Sequence, residues 1–483
     1  MSRLGWFLFV VVLLMGAAGL YGYYQLSRVA PVAQFESAED HFLYGSIGTE
    51  DDRGVPYWIW LVLPRLFPQY LPNPGGYAAI GISARDGHEM PIGLSKVEIG
   101  VPRVGVNCAF CHTATVRATP GDPPMFYPGA AAHQTGPQEY MRFLFQAASD
   151  PRFSATAILD EIARNVKLSF AERLLYRFVL IPKAQQTLLG LSEESATATR
   201  PAWGRGRTDM VSRVKFTILQ RPPDKNVGTT DAMPLWHLQR REANGLLWDR
   251  SNTSLREVVR SAAVVEGASM RWMDIDTVMW ERTAPKQPSS LRRVLEYLND
   301  LQPPKYPFAV DSTLAASGAA TYAATCASCH DANGARANEA IPIGEIGTDR
   351  SRLDAWEAGS AAAFNAFGAG HAWTFSKFRE SSSGYAAPPL DGVWLNAPYL
   401  HNGSVPTLSD LLEPPASRPA RFWRGYDVYD QARVGFVSGN SEAQRIGTLL
   451  DVAQPGNGNG GHTYGTTLTA DQKRALLEYL KTR

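Results

Sequence analysis

The chain has 483 residues, with 47 Lys and Arg against 46 Asp and Glu, a formal net charge of +1. Hydrophobic residues make up 45% and charged residues 19%, which excludes a wholly disordered chain. The balanced charge, without a long basic run, excludes the electrostatic footprint of a nucleic-acid binder.

The N-terminus opens with an uncharged stretch, Leu4 to Tyr24, rich in apolar and aromatic residues. At about 1.5 Å per residue it covers a hydrocarbon core of about 30 Å. Arg3 precedes it, which keeps that end cytoplasmic, and Tyr21, Tyr23 and Tyr24 follow as an interfacial belt. The run exceeds the usual signal-peptide core and lacks a clean small-residue cleavage site, so residues 1–29 read as a single-pass inner-membrane anchor. The alternative is a cleaved signal that leaves a soluble periplasmic protein. Both place the chain from residue 30 onward outside the cytoplasm. Residues 30–90, with the aromatic GVPYWIWLVLP, read as an N-terminal extension packed on the core.

Cys108, Cys111 and His112 form the first of two C-x-x-C-H motifs. Cys326, Cys329 and His330 form the second, and the chain has no other cysteine. This is the attachment pattern of c-type haem: two thioethers reach the vinyl groups on one porphyrin edge, and the adjacent imidazole reaches the iron. A thioredoxin-like pair needs no histidine, zinc would need a further ligand at each motif, and a disulfide between cysteines three apart constrains almost nothing. Export agrees with haem attachment. The expected cofactors are two covalently bound haem c groups.

The sixth position of the first haem is expected to be open, the alternative being ligation by His133, twenty-one residues beyond His112. Further on, Leu291, Val294, Leu295 and Leu298 fall at helical spacing, and Pro303 and Pro304 stop that helix. Residues 91–302 are thus expected to form a first haem domain, and 303–310 a linker. Asp311 to Thr325 is an Ala-rich helix with Gly318 and Tyr322 on one face. Thr469 and Gln472 make a capping box for a last helix carrying Leu476, Leu477 and Leu480. Residues 311–483 are expected to form a second haem domain. The fold class is mostly α: two cytochrome c-like domains with long irregular loops, plus the N-terminal transmembrane helix. His371, His401 and His462 are the candidate distal ligands there. His462 leads, because a Gly/Asn-rich loop just before the closing helix can bring its imidazole to the iron face.

Two further stretches carry a family resemblance. Ala397 to Leu408 reads APYLHNGSVPTL, and Leu247 to Glu257 reads LWDRSNTSLRE. They resemble the His-Asn-Gly-Ser and Trp-Asp motifs of the bacterial di-haem cytochrome c peroxidase superfamily, in the family's order relative to the two haem motifs. The resemblance covers about residues 100–483. The size, FWRGYDVYD at 422–430 and GNGNGGHTYGTTL at 456–468 make it closer to the rubber-oxygenase-like branch, which also points to His462.

The resemblance implies that the first haem, on His112, reacts with peroxide or dioxygen, and that the second stores and relays electrons. It implies that Trp248 relays electrons between the haems, with Trp236 a second choice. Asp249 is expected to orient the Trp or a propionate, and Tyr399 and Asn402 to support the second haem. A small-molecule oxidant and an electron-donor protein are the expected partners, with no nucleic acid. The rival from another class is a non-catalytic electron carrier. The chain departs from the well-studied peroxidases at three places. Pro415 stands where they have an iron-ligating methionine, and no Met follows Val310. Arg250 stands at the Gly of Trp-Asp-Gly-Arg. Ala268 stands at a glutamate position, with Glu266 two residues earlier.

Overall fold

A computed structural model describes residues 2–27, 35–191, 200–282 and 288–483. The N-terminal helix α1 (Arg3–Ser27) carries a span from Arg3 to Tyr24 that is long and apolar enough to cross a membrane and has no buried share. Length and composition fit an anchor or a signal sequence equally. The last residues of the expected segment 1–29 lie outside the described residues.

Helix α2 (Ala38–Tyr44) is capped by Ser37, whose hydroxyl accepts from the Asp40 amide. Strand β1 (Val55–Pro56) leads into α3 (Tyr57–Leu66). Strands β2 (Leu94–Ile99) and β3 (Val101–Val106) complete an antiparallel sheet of order β1-β3-β2, with Leu94 opposite Val106 and Val55 opposite Val104. The first cysteine motif follows at once, as a 3-10 turn (Cys108–Phe110) running into the hairpin β4 (Thr113–Val116) and β5 (Met125–Pro128).

Helices α4 (Pro137–Ser149), α5 (Ala155–Ile162), α6 (Phe170–Leu175) and α7 (Ile181–Leu189) come next, the last two joined through a π-turn at Tyr176–Leu180. A short ladder, β6 (Arg207–Thr208) with β7 (Thr230–Asp231), flanks the four-residue α8 (Met210–Arg213). Then come α9 (Leu255–Glu266), closed by Gly267 in the left-handed region, α10 (Met270–Glu281) and α11 (Ser290–Asp300). Helix α11 buries Leu291, Val294 and Leu298, the spacing read from the sequence, and packs on α2 and α9.

The second motif sits differently. Helix α12 (Ser312–Thr325), capped by Asp311, ends at Cys326 and hands over to α13 (Ala327–His330). Beyond it run the ladder β8 (Ala340–Pro342) with β9 (Gly384–Ala386) and the short helices α14 (Ile343–Ile346), α15 (Ser351–Ala355) and α16 (Ser360–Phe367). Helix α17 (Leu408–Leu411), strand β10 (Arg421–Arg424), strands β11 (Tyr429–Asp430) and β12 (Gly435–Phe436), helix α18 (Ser441–Ile446) and strand β13 (Thr448–Asp451) lead to α19 (Ala470–Leu480). Thr469 and Gln472 form the expected capping box. Helices α12 and α19 cross where Gly318 lies, and a Cβ there would stand 2.0 Å from the Ala475 carbonyl oxygen. Only glycine lets the two backbones approach this closely.

Among the described residues a small cluster gathers Tyr426, Val428 and Ala443, and two large cores draw on the chain on either side of residues 303–310. The larger joins residues of the first 300 with Trp356, Phe364, Trp373, Phe375 and Phe378. The smaller joins Trp394, Tyr429, Leu476 and Leu480 with Ala114, Val116, Ala130 and Trp236. The stretch expected as a linker packs into the smaller one: Tyr306 lies edge-on to Trp394, whose Nε1 donates to the Pro304 carbonyl at 3.0 Å. Helices dominate, with one three-stranded sheet and several two-stranded ladders.

Candidate functional site: two unlike cysteine-histidine centres

The first centre is built on the turn at 107–112. Asn107 caps the 3-10 turn by accepting from the Ala109 amide, and its Nδ2 donates to the Leu43 and Gly45 carbonyls, tying the motif to α2. Gly93, at φ 83°, lies so close to Phe110 that a Cβ would stand 2.3 Å from its Cα. Cys108, Cys111 and His112 form part of the wall of a deep, mainly apolar cavity. Met233, Leu235, Leu246, Val259, Val265 and Phe378 line much of the rest. His112 is the sole imidazole of that lining. Burial lowers its pKa to about 4, so the ring is neutral and able to ligate a metal. Its Nδ1 is buried beside the Met233 backbone. Burial likewise raises the Cys108 thiol to about 12.

Two cations, Arg241 and Arg352, and two carboxylates, Asp231 and Glu266, complete this wall, Asp231 being paired with Arg424. Arg352 is held by the fully buried Asp249 at 2.8 Å. Glu266, on α9, pairs with Arg213 at 3.0 Å. Arg241 is different: it is buried, and its side chain has no hydrogen-bond or ionic partner among the described residues. A buried guanidinium without an anion is costly. Two thiols, one imidazole, an apolar body and an unpaired cation fit a covalent haem, whose vinyls, iron, ring and propionates are complementary to them in that order.

The second centre pairs two imidazoles. His330 Nδ1 donates to the Pro388 carbonyl at 2.8 Å, which leaves Nε2 unprotonated. The His462 ring faces it, with centroids 6.2 Å apart and planes inclined by 47°. A metal bound at about 2 Å by each of two imidazole nitrogens, each about 1.2 Å from its ring centre, sets the centroids about 6.4 Å apart. The gap therefore fits one iron. Burial and the neighbouring His330 keep His462 neutral, with a pKa of about 3.

His462 stands at φ 43°, a conformation L-residues seldom adopt. Its loop is held from three sides. The buried Arg418 donates to the carbonyls of Asn459 (2.6 Å), Gly461 (2.9 Å) and His462 (3.1 Å). Asn402 Nδ2 and Ser404 Oγ, of the His-Asn-Gly-Ser stretch, donate to Gly456 and Gly458. The His462 amide donates to the Ile346 carbonyl at 2.7 Å. Sequence reasoning missed Arg418, because its partners are backbone carbonyls forty or so residues away and leave no local pattern.

The other candidates lie elsewhere. His371 is paired with Asp274 at 2.9 Å and stacks on Trp373. His133 is buried, stacks on Phe436 at 3.4 Å and spends Nε2 on the Tyr426 carbonyl; it is not part of the cavity wall at His112. His401 stacks on Tyr385 at 3.7 Å and meets Trp248 edge-on at 6.5 Å. Trp248 lines the first cavity, and its Nε1 donates to the Asp231 carbonyl at 2.9 Å. Tyr385 belongs to β9, three residues before the Pro388 that holds His330. A row of three rings thus runs from the first cavity toward the second centre. Trp236 is buried and donates to the Asp391 carbonyl. The Tyr399 hydroxyl bonds the Val393 and Val434 carbonyls.

Comparison with known proteins bears on this region. Residues 384–424 match a family described as RoxA-like, cytochrome c-like. This segment contains Tyr385, Pro388, His401 to Ser404 and Arg418. The similarity carries haem c as the prosthetic group and oxidation–reduction as the chemistry of a c-type cytochrome. An uncharacterized protein of Sinorhizobium fredii, y4iJ, is 26% identical over 477 residues, covering 78% of this chain and 76% of the relative. A second uncharacterized protein of the same organism, y4iM, is 34% identical over 237 residues, covering 39% of this chain and 53% of that relative.

Proposed function

We propose that the chain is a di-haem c-type cytochrome oxidoreductase on the periplasmic side of the inner membrane, tethered by α1. Cys108, Cys111 and His112 would hold the first haem, in a cavity that would admit peroxide or dioxygen. Cys326, Cys329 and His330 would hold the second, with the facing His462 as a further ligand. The single observation behind this reading is the inequality of the two centres: one imidazole in an apolar cavity at the first, two imidazoles 6.2 Å apart at the second. A haem with two axial imidazoles has no vacant position and serves electron storage; a haem with one can bind an oxidant.

When bound, haem at the first centre supplies the binding and reduction of the oxidant. The protein does the rest. The apolar wall excludes water, and Arg241 would neutralise a propionate. Trp248, with His401 and Tyr385 behind it, offers a π-bonded route for electrons between the centres. An electron-donor protein would refill the second haem.

A carrier without catalysis is favoured by one feature: Met210 and Met233 both line the first cavity, and a thioether on the iron would close it. Mixing the fully reduced protein with peroxide, and separately with dioxygen, decides between the readings. Rapid oxidation of both haems by one reagent is the expected result. A reduced protein stable to both would leave the carrier.

A further inference from the structure

The continuous helical segment from Phe170 to Leu189 is apolar on two sides. Tyr176, Leu180, Ala184 and Leu188 face the core. Phe170, Leu174 and Phe178 lie one helical turn apart on the opposite side, with Phe170 78% and Phe178 68% exposed. Val179 and Leu189 are exposed as well. Among the described residues outside α1, these five are half of the ten large hydrophobic side chains that face solvent. Such a cluster is rarely left bare.

Its surroundings are basic. Lys167, Arg173, Arg177 and Lys183 are all exposed, and none is held in an ion pair among the described residues. Glu172 is the sole acidic residue among 167–183, and its carboxylate is engaged by the Ser169 amide in a capping box. An apolar face flanked by cations is the signature of a helix lying in the interface of an anionic bilayer. The position agrees. Helix α1, the candidate span, passes beside β2, and Glu98 of β2 lies within electrostatic reach of Tyr176. The span and the amphipathic segment therefore share one side of the molecule.

We propose that the Phe170–Leu189 segment is a second membrane contact, docking its Phe170/Leu174/Phe178 face into the headgroup layer of an anionic bilayer and fixing the orientation of the haem-bearing body on α1. Hydroxyl-radical footprinting of the full-length, haem-loaded protein in nanodiscs tests this. Phosphatidylcholine discs at high salt are compared with phosphatidylglycerol-containing discs at low salt. Labelling of Phe170 and Phe178 should fall by about threefold or more in the anionic discs, while exposed Tyr464, far along the chain, keeps its rate. The Arg173→Gln/Arg177→Gln variant should lose much of this lipid dependence. Equal labelling in both lipids would overturn the proposal. So would protection that appears only when two copies share a disc, since a second copy would then be the occupant.

Discussion

His462 adopts a left-handed backbone conformation that costs an L-residue roughly 1–2 kcal/mol, and the Arg418 guanidinium spans three of the carbonyls around it. Strain kept in place by a buried cation is the mark of a side chain whose direction matters. His462→Ala should turn one low-spin haem high-spin; an unchanged spectrum would remove His462 from the iron. Arg418→Gln keeps a neutral donor but loses the fork, and should broaden or split that low-spin signal while leaving the first haem as it was. A second residue carries similar strain. Arg250, beside Trp248 and Asp249, stands at φ 57°, in the left-handed region that L-residues seldom adopt. Residue chemistry was legible where it is local: C-x-x-C-H spacing declares itself, and His462 stands out in a glycine loop. Arg418, Arg241 and Tyr385 were not legible, because each acquires its meaning from partners distant in sequence.

Element packing explains two further expectations. Gly318 sits where α12 and α19 cross, and Gly318→Ala forces the helices apart against the Ala475 carbonyl, an overpacking change of about 1–3 kcal/mol. The thermal midpoint should fall with the loss concentrated at the second haem; an unchanged midpoint would mean the crossing is looser than described. On the other side of the molecule α2 meets α11, where His41 lies buried against Ser290. Burial, helped by Arg293, lowers its pKa from 6.5 to about 4. The unfolded chain takes up this proton below pH 6.5 and the folded one does not. The contribution is therefore complete above pH 6.5 and is lost as pH falls toward 4, by about 3 kcal/mol. His41→Gln should flatten the wild-type decline in thermal midpoint across that window. Elements with caps and helical spacing, α11, α12 and α19, could be read directly. The β2–β3 pair could not, since its short strands take their meaning from β1 and the motif they lead into.

At the scale of the whole molecule, the two cores exchange residues across 303–310, so neither centre rests on its own half of the chain alone. Sequence order shows duplication of motifs but not this exchange, because tertiary contacts between Trp356–Phe378 and the first core have no periodic signature. Intact-mass analysis should find two haems per chain, and one in either Cys108→Ala/Cys111→Ala or Cys326→Ala/Cys329→Ala; two persisting in either variant would refute the attachment sites. On this reading the two haems are unequal. Low-temperature electron paramagnetic resonance of the ferric full-length protein tests it most directly. One low-spin signal from the His330–His462 pair and one high-spin signal from the His112 site are expected, in equal amounts, with cyanide converting only the second. Two low-spin signals, neither altered by cyanide, would contradict it.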